Sequence, residues 1–136
     1  MKIITLCGSL KFQKEMMIVA EKMALEGNCI LTPVYPILEK VEKTEEQMTK
    51  LKEAHFKRIE LSDAILVVNV NNYIGKSTNL EIEHAKTLGK EILYYTDLII
   101  VNYMFTIKPD NPALQFFYNL IPVPLLYLLP IFPIFA

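Results

Sequence analysis

The sequence predicts an α/β domain, with a parallel sheet of four or five strands between helices in a three-layer, flavodoxin-like or Rossmann-like arrangement. Short apolar runs rich in β-branched residues alternate with segments whose apolar residues recur at helical spacing. The most apolar run, residues 64–70, shows no alternation of polar and apolar side chains, which is typical of a strand covered on both faces. These two observations favour a parallel sheet over an antiparallel one.

Four runs are predicted to be strands, because each is apolar and bounded by glycine, proline or a polar turn. They span residues 2–7, 29–34, 64–70 and 91–95.

Three helices are predicted between these strands. The first lies between residues 11 and 27 and ends at a glycine. The second begins at a capping box, in which Thr44 and Gln47 exchange side-chain and backbone hydrogen bonds. The third is expected to begin at a similar pair, Thr78 and Glu81.

Length and composition exclude several classes of protein. The 136 residues suffice for about one domain, and the net charge of -1 argues against a nucleic acid polymer as partner. The two cysteines lack metal-binding spacing, so we expect no metal and no cofactor. Neither the G-x-G-x-x-G nor the P-loop motif is present. The apolar N-terminal stretch is too short for a signal peptide, which predicts a cytoplasmic protein with reduced thiols.

Composition also divides the chain near residue 97. Residues 98–136 carry only two charged residues, no glycine and six of the eight prolines. We expect a domain over residues 1–97 and an apolar, proline-rich tail that is dispensable and not an independent domain. A frameshift or read-through product has such a composition, and an oligomer-capping or membrane-touching tail is the alternative. The prolines argue against a spanning helix, which needs about 20 uninterrupted apolar residues.

Ligands of such folds bind beyond the carboxyl ends of the strands, so the loops after the first and third strands and part of the loop after the second should meet in one site. Gly8 and Gly75 allow the backbone to approach a ligand closely. Ser9, Ser77 and Thr78 stand at predicted helix starts, where free N–H groups and the helix dipole favour an anion. The expected ligand is therefore a small molecule that carries a phosphate.

Cys7, at the end of the first strand, admits two interpretations. A phosphatase nucleophile would need an arginine in the same loop, and residues 11–14 supply none. We therefore interpret Cys7 as a buried strand-end residue.

Three segments carry a family resemblance, and they read ITLCGSLKF, HFKRIELSDAILVVNVNNYIG and STNLEIEHAKTLGKEILYY in chain order. They resemble the nucleoside 2-deoxyribosyltransferase-like superfamily, in particular a small bacterial and phage branch of it. The resemblance covers residues 2–96 and implies the same fold. It also implies cleavage or exchange of the N-glycosidic bond of nucleosides, deoxynucleosides or their 5′-monophosphates. The glutamate nucleophile of active members matches Glu81, in the run L-E-I-E-H-A.

The implied reaction explains why a carboxylate is needed. Attack at the anomeric carbon passes through an oxocarbenium-like state, which a fixed anion stabilises and can trap as a covalent glycosyl ester. The leaving base needs a proton or a hydrogen bond from a second group. Active members often carry an aspartate on the helix before the third strand, and by spacing that place falls near His55. Asp63 matches an acidic position at the start of the third strand in many relatives.

Each of these catalytic candidates has a structural alternative. Glu81 would complete a capping box with Thr78. His55 shares a predicted helical face with the apolar residues Met48, Leu51 and Ile59, which suits a packed core histidine. Asp63 can hold loop backbone instead of ligand.

Two further residues are candidates for contact with a nucleoside. Tyr73 lies in the loop beside Gly75 and can stack on a base. Asn69, near the end of the third strand, can bond to the sugar.

Two classes of function remain. The first is a nucleoside or nucleotide N-glycosidase or deoxyribosyltransferase, and the alternative is a non-catalytic domain that binds a nucleotide-like ligand. A pair of carboxylates in the pocket would favour the enzyme, and a Glu81 held only by backbone N–H groups would favour the binding domain. Both classes have a small-molecule nucleoside or nucleotide as partner, and we expect a homo-oligomer.

Overall fold

The computed structural model describes residues 1–37 and 41–98. The elements below belong to the compact unit Met1–Asp97. Residues 99–136 lie outside the described part, and the expectations for the tail concern these residues. In the described part, no helix is long and apolar enough to cross a membrane.

Four strands form one sheet in the order β2-β1-β3-β4, and every neighbouring pair is parallel. The strands are β1 (Ile3–Cys7), β2 (Cys29–Leu31), β3 (Ala64–Val67) and β4 (Glu91–Tyr94). This order is that of flavodoxin-like proteins. The predicted α/β class with a four-stranded parallel sheet is therefore confirmed.

All four strands are shorter than predicted, β1 and β4 by one residue and β2 and β3 by three. β2 ends at Leu31, two residues before Pro33, whose missing N–H cannot continue the ladder. β3 ends at Val67, and the chain then turns through a single 3-10 turn at Val70–Asn72, in which two asparagines adopt φ angles of 52° and 61°. Asparagine tolerates this left-handed region better than most residues. The loop after β3 therefore leaves the sheet three residues earlier than its apolar composition indicates.

Three helices connect the strands. A 3-10 turn at Leu10–Phe12 leads into α1 (Gln13–Leu25), followed by α2 (Glu45–Leu61) and α3 (Lys76–Thr87). Crossovers between parallel strands are right-handed, so the reversal of direction in the strand order places α1 on one face and both α2 and α3 on the other.

The capping box of α2 is confirmed, whereas that of α3 is wrong. The Gln47 backbone N–H donates to Thr44 Oγ1 at 3.2 Å, and the Thr44 N–H donates to Gln47 Oε1 at 2.9 Å. In contrast, the N-cap of α3 is Gly75, which has no side chain to cap the helix, and Thr78 is buried at the third helical position. The capping role that competed with a functional role for Glu81 is thereby removed.

The core on the α2–α3 side of the sheet lies beneath the candidate site. Its buried members are Cys7, Ile59, Ile65, Val67, Ile82 and Ala85. Because side chains alternate along a strand, Ile65 and Val67 of β3 face the same side as Cys7 of β1. The helices α2 and α3 are held against the sheet by Ile59 and Ile82. This packing fixes the positions of His55, one turn before Ile59, and of Glu81, directly before Ile82.

Candidate active site

A cavity of about 590 Å³ lies at the carboxyl edge of the sheet. Its walls come from the loops after β1 and β2, from one face of α2, and from the segment that leads into α3. Its volume falls within the range of small-molecule sites, roughly 300–1,000 Å³. Most of the predicted site residues line it: Gly8, Ser9, His55, Tyr73, Gly75, Ser77, Thr78 and Glu81.

Gly8 allows the loop after β1 to pass close to the end of β3. A Cβ atom at this position would lie 3.1 Å from the carbonyl oxygen of Val68 and 3.4 Å from its Cβ. Since backbone oxygen cannot move aside cheaply, a larger residue would push Ser9 away from the cavity.

The first turn of α3 forms the polar wall of the cavity. Gly75 precedes the helix with extended backbone and has no side chain that could act as a cap. The first N–H groups of the helix therefore have no side-chain acceptor at the N-cap. Lys76, Ser77 and Thr78 follow directly and line the cavity. The wall therefore combines hydroxyl groups, a lysine and the positive end of a helix dipole.

Glu81 and His55 meet at the inner end of the cavity. Glu81 is 7% exposed and His55 is 8% exposed, although both line the cavity. The distance from His55 Nε2 to Glu81 Oε2 is 3.7 Å, and Ser77 Oγ lies 3.5 Å from Glu81 Oε1 as a donor. Neither Glu81 Oε2 nor His55 Nδ1 has a hydrogen-bond partner among the described residues.

The surroundings of Glu81 match neither the carboxylate pair expected for the enzyme nor the backbone contacts expected for the binding domain. Glu81 is not held by backbone N–H groups, and the lining residues named for this cavity include no second carboxylate. An imidazole stands beside it instead. A buried carboxylate next to an imidazole is able to take part in nucleophilic and proton-transfer steps.

Cys7 lies behind this pair. Its sulfur is 3.8 Å from His55 Nε2, and its side chain is fully buried. Burial raises the pKa of the Cys7 thiol well above its ordinary value, and the nearby negative charge of Glu81 raises the pKa further. The interpretation of Cys7 as a buried strand-end residue agrees with this placement. The ligand atoms of Cys7, His55 and Glu81 lie within 4.8 Å of one another, so this group is able to hold a metal ion.

Tyr73 stands at the rim of the cavity and is 46% exposed. Lys11 Nζ lies 3.1 Å from the centre of its ring, and Phe12 packs against it edge to face with the ring centres 5.8 Å apart. These contacts hold the Tyr73 ring in place next to Gly75.

Asp63 does not belong to the cavity, and its predicted catalytic role is corrected here. It precedes β3 at the amino edge of the sheet, opposite the cavity, and is exposed. Its Oδ2 accepts a hydrogen bond of 2.8 Å from the backbone N–H of Ile3, while its own N–H donates to the Ile3 carbonyl at 2.9 Å. Asp63 therefore joins β1 to β3.

Asn69 lies near the carboxyl edge but does not line the cavity either. Its Nδ2 donates to Thr96 Oγ1 at 3.0 Å, and its Oδ1 accepts from the Thr96 backbone N–H at 3.2 Å. This buried amide ties the loop after β3 to the chain after β4. The predicted contact of Asn69 with a sugar is thus replaced by a structural role.

Several lining residues were missed in the sequence. They are Leu10, Pro33, Val34, Met48, Thr49, Leu51, Lys52, Phe56 and Lys76. Met48 and Leu51 were predicted to share a helical face with His55 and Ile59, and a face of this kind normally packs into a core. In the structure the first turns of α2 are exposed, so Met48 is 54% exposed beside the cavity while Ile59 is fully buried. Periodicity alone carries no signal for this division.

The sheet has a flavodoxin-like strand order, and a buried carboxylate lies in the cavity at its carboxyl edge. The chain is similar in structure to a 2-desoxiribosyltransferase from Leishmania mexicana, with a TM-score of 0.52 and 18% sequence identity. The alignment covers 70% of this chain and 64% of that chain, so the likeness spans less than two thirds of the solved protein. No protein-family model matches the chain, and neither does any curated protein. At 18% sequence identity, this likeness shows that the chain has a 2-deoxyribosyltransferase-like fold.

Proposed function

We propose that the cavity binds a nucleoside or a nucleoside 5′-monophosphate and that Glu81 attacks the anomeric carbon of its sugar. The observation that carries this proposal is the buried Glu81 carboxylate, which lines the cavity and has one oxygen without a hydrogen-bond partner in the described part of the chain. Leaving a buried acceptor unsatisfied costs about 1–3 kcal/mol, so such an atom is a candidate for contact with a ligand.

The reaction then has two steps. In the first, a Glu81 oxygen forms an ester bond to the anomeric carbon while the N-glycosidic bond breaks, and the bonding electron pair leaves with the base. In the second, water or the nitrogen of another base attacks the same carbon and releases Glu81. Water gives a hydrolase, and a second base gives a transferase.

His55 is the proposed proton donor to the leaving base. Its ring nitrogen lies 3.7 Å from Glu81 and its side chain reaches the same cavity, so one residue is able to serve both steps. A protonated imidazole donates to the departing ring nitrogen, and the neutral imidazole then accepts the proton of the attacking water.

Substrate recognition is assigned to the two ends of the cavity. Tyr73 offers a ring face of suitable size for a base at the rim. Ser77, Thr78 and Lys76 at the start of α3 offer donors for the sugar or for a 5′-phosphate, which a helix N-terminus favours. We further propose that residues 1–97 carry the activity, in the cytoplasm and as a homo-oligomer.

A chromatographic assay of base release tests the proposal. The full chain is incubated with a panel of ribonucleosides, deoxyribonucleosides and their 5′-monophosphates, each with and without a second free base. The proposal expects free base from at least one member of the panel, or exchange when the second base is present. Ligand binding without release by any member would favour the non-catalytic binding domain instead.

A further inference from the structure

We propose that Cys7, His55 and Glu81 form a binding site for a thiophilic divalent cation, with Zn²⁺ as the best match. The three side chains come from three different elements: Cys7 ends β1, His55 belongs to α2 and Glu81 belongs to α3. They bring together a sulfur, an imidazole nitrogen and a carboxylate oxygen, which are the three kinds of donor that zinc takes from proteins.

The distances between the donor atoms are slightly longer than those of a site with zinc bound. Cys7 Sγ lies 3.8 Å from His55 Nε2, His55 Nε2 lies 3.7 Å from Glu81 Oε2, and all three donor atoms lie within 4.8 Å. Zinc bonds of roughly 2.0–2.3 Å in a tetrahedral arrangement place neighbouring donor atoms about 3.3–3.6 Å apart. Side-chain rotations of all three residues are needed to close this difference.

The cluster is buried yet contains donor atoms that nothing in the described chain satisfies. Glu81 Oε2, the oxygen that points towards His55, has no hydrogen-bond partner, and neither has His55 Nδ1. Both side chains are at least nine-tenths buried. Buried polar atoms in native proteins are normally paired, so this cluster points to a bound species that completes it.

The surroundings leave one coordination position open. His55 and Glu81 line the cavity, while Cys7 lies behind them in the core next to Ile65 and Val67. Three protein donors with a fourth position open to solvent is the arrangement of accessible zinc sites. The thiolate selects Zn²⁺ or Co²⁺ over Mg²⁺ and Ca²⁺, which prefer oxygen donors.

Binding replaces the proton of the Cys7 thiol by the metal and releases that proton to solvent. It also occupies the Glu81 carboxylate, which cannot attack a sugar at the same time. The metal therefore acts as an inhibitor of base release. This last consequence rests on the proposed function, whereas the site itself does not.

Cobalt spectroscopy on the reduced, metal-free full chain tests the site. Titration with Co²⁺ should give a thiolate-to-cobalt charge-transfer band that saturates at one ion per chain and disappears on addition of Zn²⁺ but not Mg²⁺. The variant Cys7→Ser should abolish the band, and Cys29→Ser, which changes a half-buried cysteine of β2, should keep it. Loss of a direct ligand in Cys7→Ser should weaken Zn²⁺ binding by roughly 100-fold or more, since even outer-shell changes cost 10–100-fold.

Absence of the band in folded wild-type protein would overturn the site, as would a band that survives in Cys7→Ser and is lost in Cys29→Ser. The spectrum needs no substrate, so its outcome is independent of whether any nucleoside is cleaved. Where base release is measured, Zn²⁺ should inhibit wild type, and Cys7→Ser should need roughly 100-fold more Zn²⁺. Full activity of wild type with the metal bound would overturn the inhibitory role.

Discussion

His55 Nε2 and Glu81 Oε2 lie 3.7 Å apart, and the His55 and Glu81 side chains are 10% and 9% exposed. The distance is slightly too long for a hydrogen bond, and a small approach of the two helices or a side-chain rotation would make one. Catalytic hydrogen bonds often tighten only when substrate is bound. The chemistry proposed for the cavity depends on this pair, and two of the predictions below address its members separately.

Glu81→Gln should remove base release while leaving nucleoside binding nearly unchanged. The amide keeps the shape of the side chain but is too weak a nucleophile to form the glycosyl ester, so kcat should fall by about 10³-fold or more. Glu83→Gln is the matched control, because Glu83 is exposed and pairs with Lys86 at 2.8 Å. Base release by the Glu81 variant at the wild-type rate would contradict the mechanism.

His55→Gln should slow base release in proportion to how much the leaving base needs a proton. General-acid catalysis contributes about 10²–10⁴-fold, so an ordinary purine nucleoside should lose activity in this range. A 7-methylated purine nucleoside already carries a positive charge on the base and should lose far less. The measurement is kcat for both substrates in wild type and variant. Equal losses for the two would show that His55 has a structural role only.

Asp63→Ala should lower stability without affecting base release. The variant loses the 2.8 Å hydrogen bond from the Ile3 N–H at the edge of the sheet opposite the cavity. Removal of one such bond costs about 1 kcal/mol in the free energy of unfolding. Urea unfolding measures the change, and base release under native conditions measures function. A folded variant with lost activity would return Asp63 to the list of catalytic candidates.

The raised pKa of the Cys7 thiol predicts that stability falls at alkaline pH. The unfolded thiol loses its proton near its ordinary pKa of about 8.5, whereas the folded thiol keeps it to higher pH. The unfolded state therefore binds fewer protons above that pH, and the free energy of unfolding decreases until the folded pKa is reached. Between about pH 7.5 and 9.5 this one group should remove about 1.4 kcal/mol.

Urea unfolding under reducing conditions at both pH values, in wild type and two variants, checks this prediction. Between about pH 7.5 and 9.5, the free energy of unfolding should fall by about 1.4 kcal/mol less in Cys7→Ser than in wild type. Cys29→Ser should behave like wild type, because this cysteine is only half-buried in β2. Equal losses in wild type and Cys7→Ser would assign the alkaline effect to other groups.

The fold was predictable because its signals are local. The unbroken apolar run that contains Ala64–Val67 is compatible only with a strand covered on both faces, and it forms the centre of the sheet. The capping box of Thr44 and Gln47 involves four consecutive residues, so neighbouring sequence alone specifies it. The element ends were less predictable, because the asparagines that turn the chain after β3 compete with its apolar composition.

Placement around the cavity was predictable in part. Strand order and the position of the loops bring Gly8, Ser9, Gly75 and Ser77 together, since parallel strands present their carboxyl ends at one edge. Two other candidates lie outside the cavity: Asp63, which was predicted from the family resemblance, and Asn69, which was predicted from its place near the end of the third strand. Asp63 lies at the wrong end of its strand, and the Asn69 amide is taken by Thr96, whose proximity depends on where β4 ends.

The sequence by itself determined the α/β class with a parallel sheet and the carboxyl-edge location of the site, because the alternation of strands and helices is read from short segments and parallel strands end at one edge. The strand order β2-β1-β3-β4 was decided by the tertiary structure. Only the tertiary structure decided that Glu81 is buried beside His55 instead of capping α3, and that Cys7 stands 3.8 Å from the same imidazole. These contacts join β1, α2 and α3 across long separations in the chain. Their geometry depends on how Ile59 and Ile82 seat the two helices on the sheet, which no local pattern encodes.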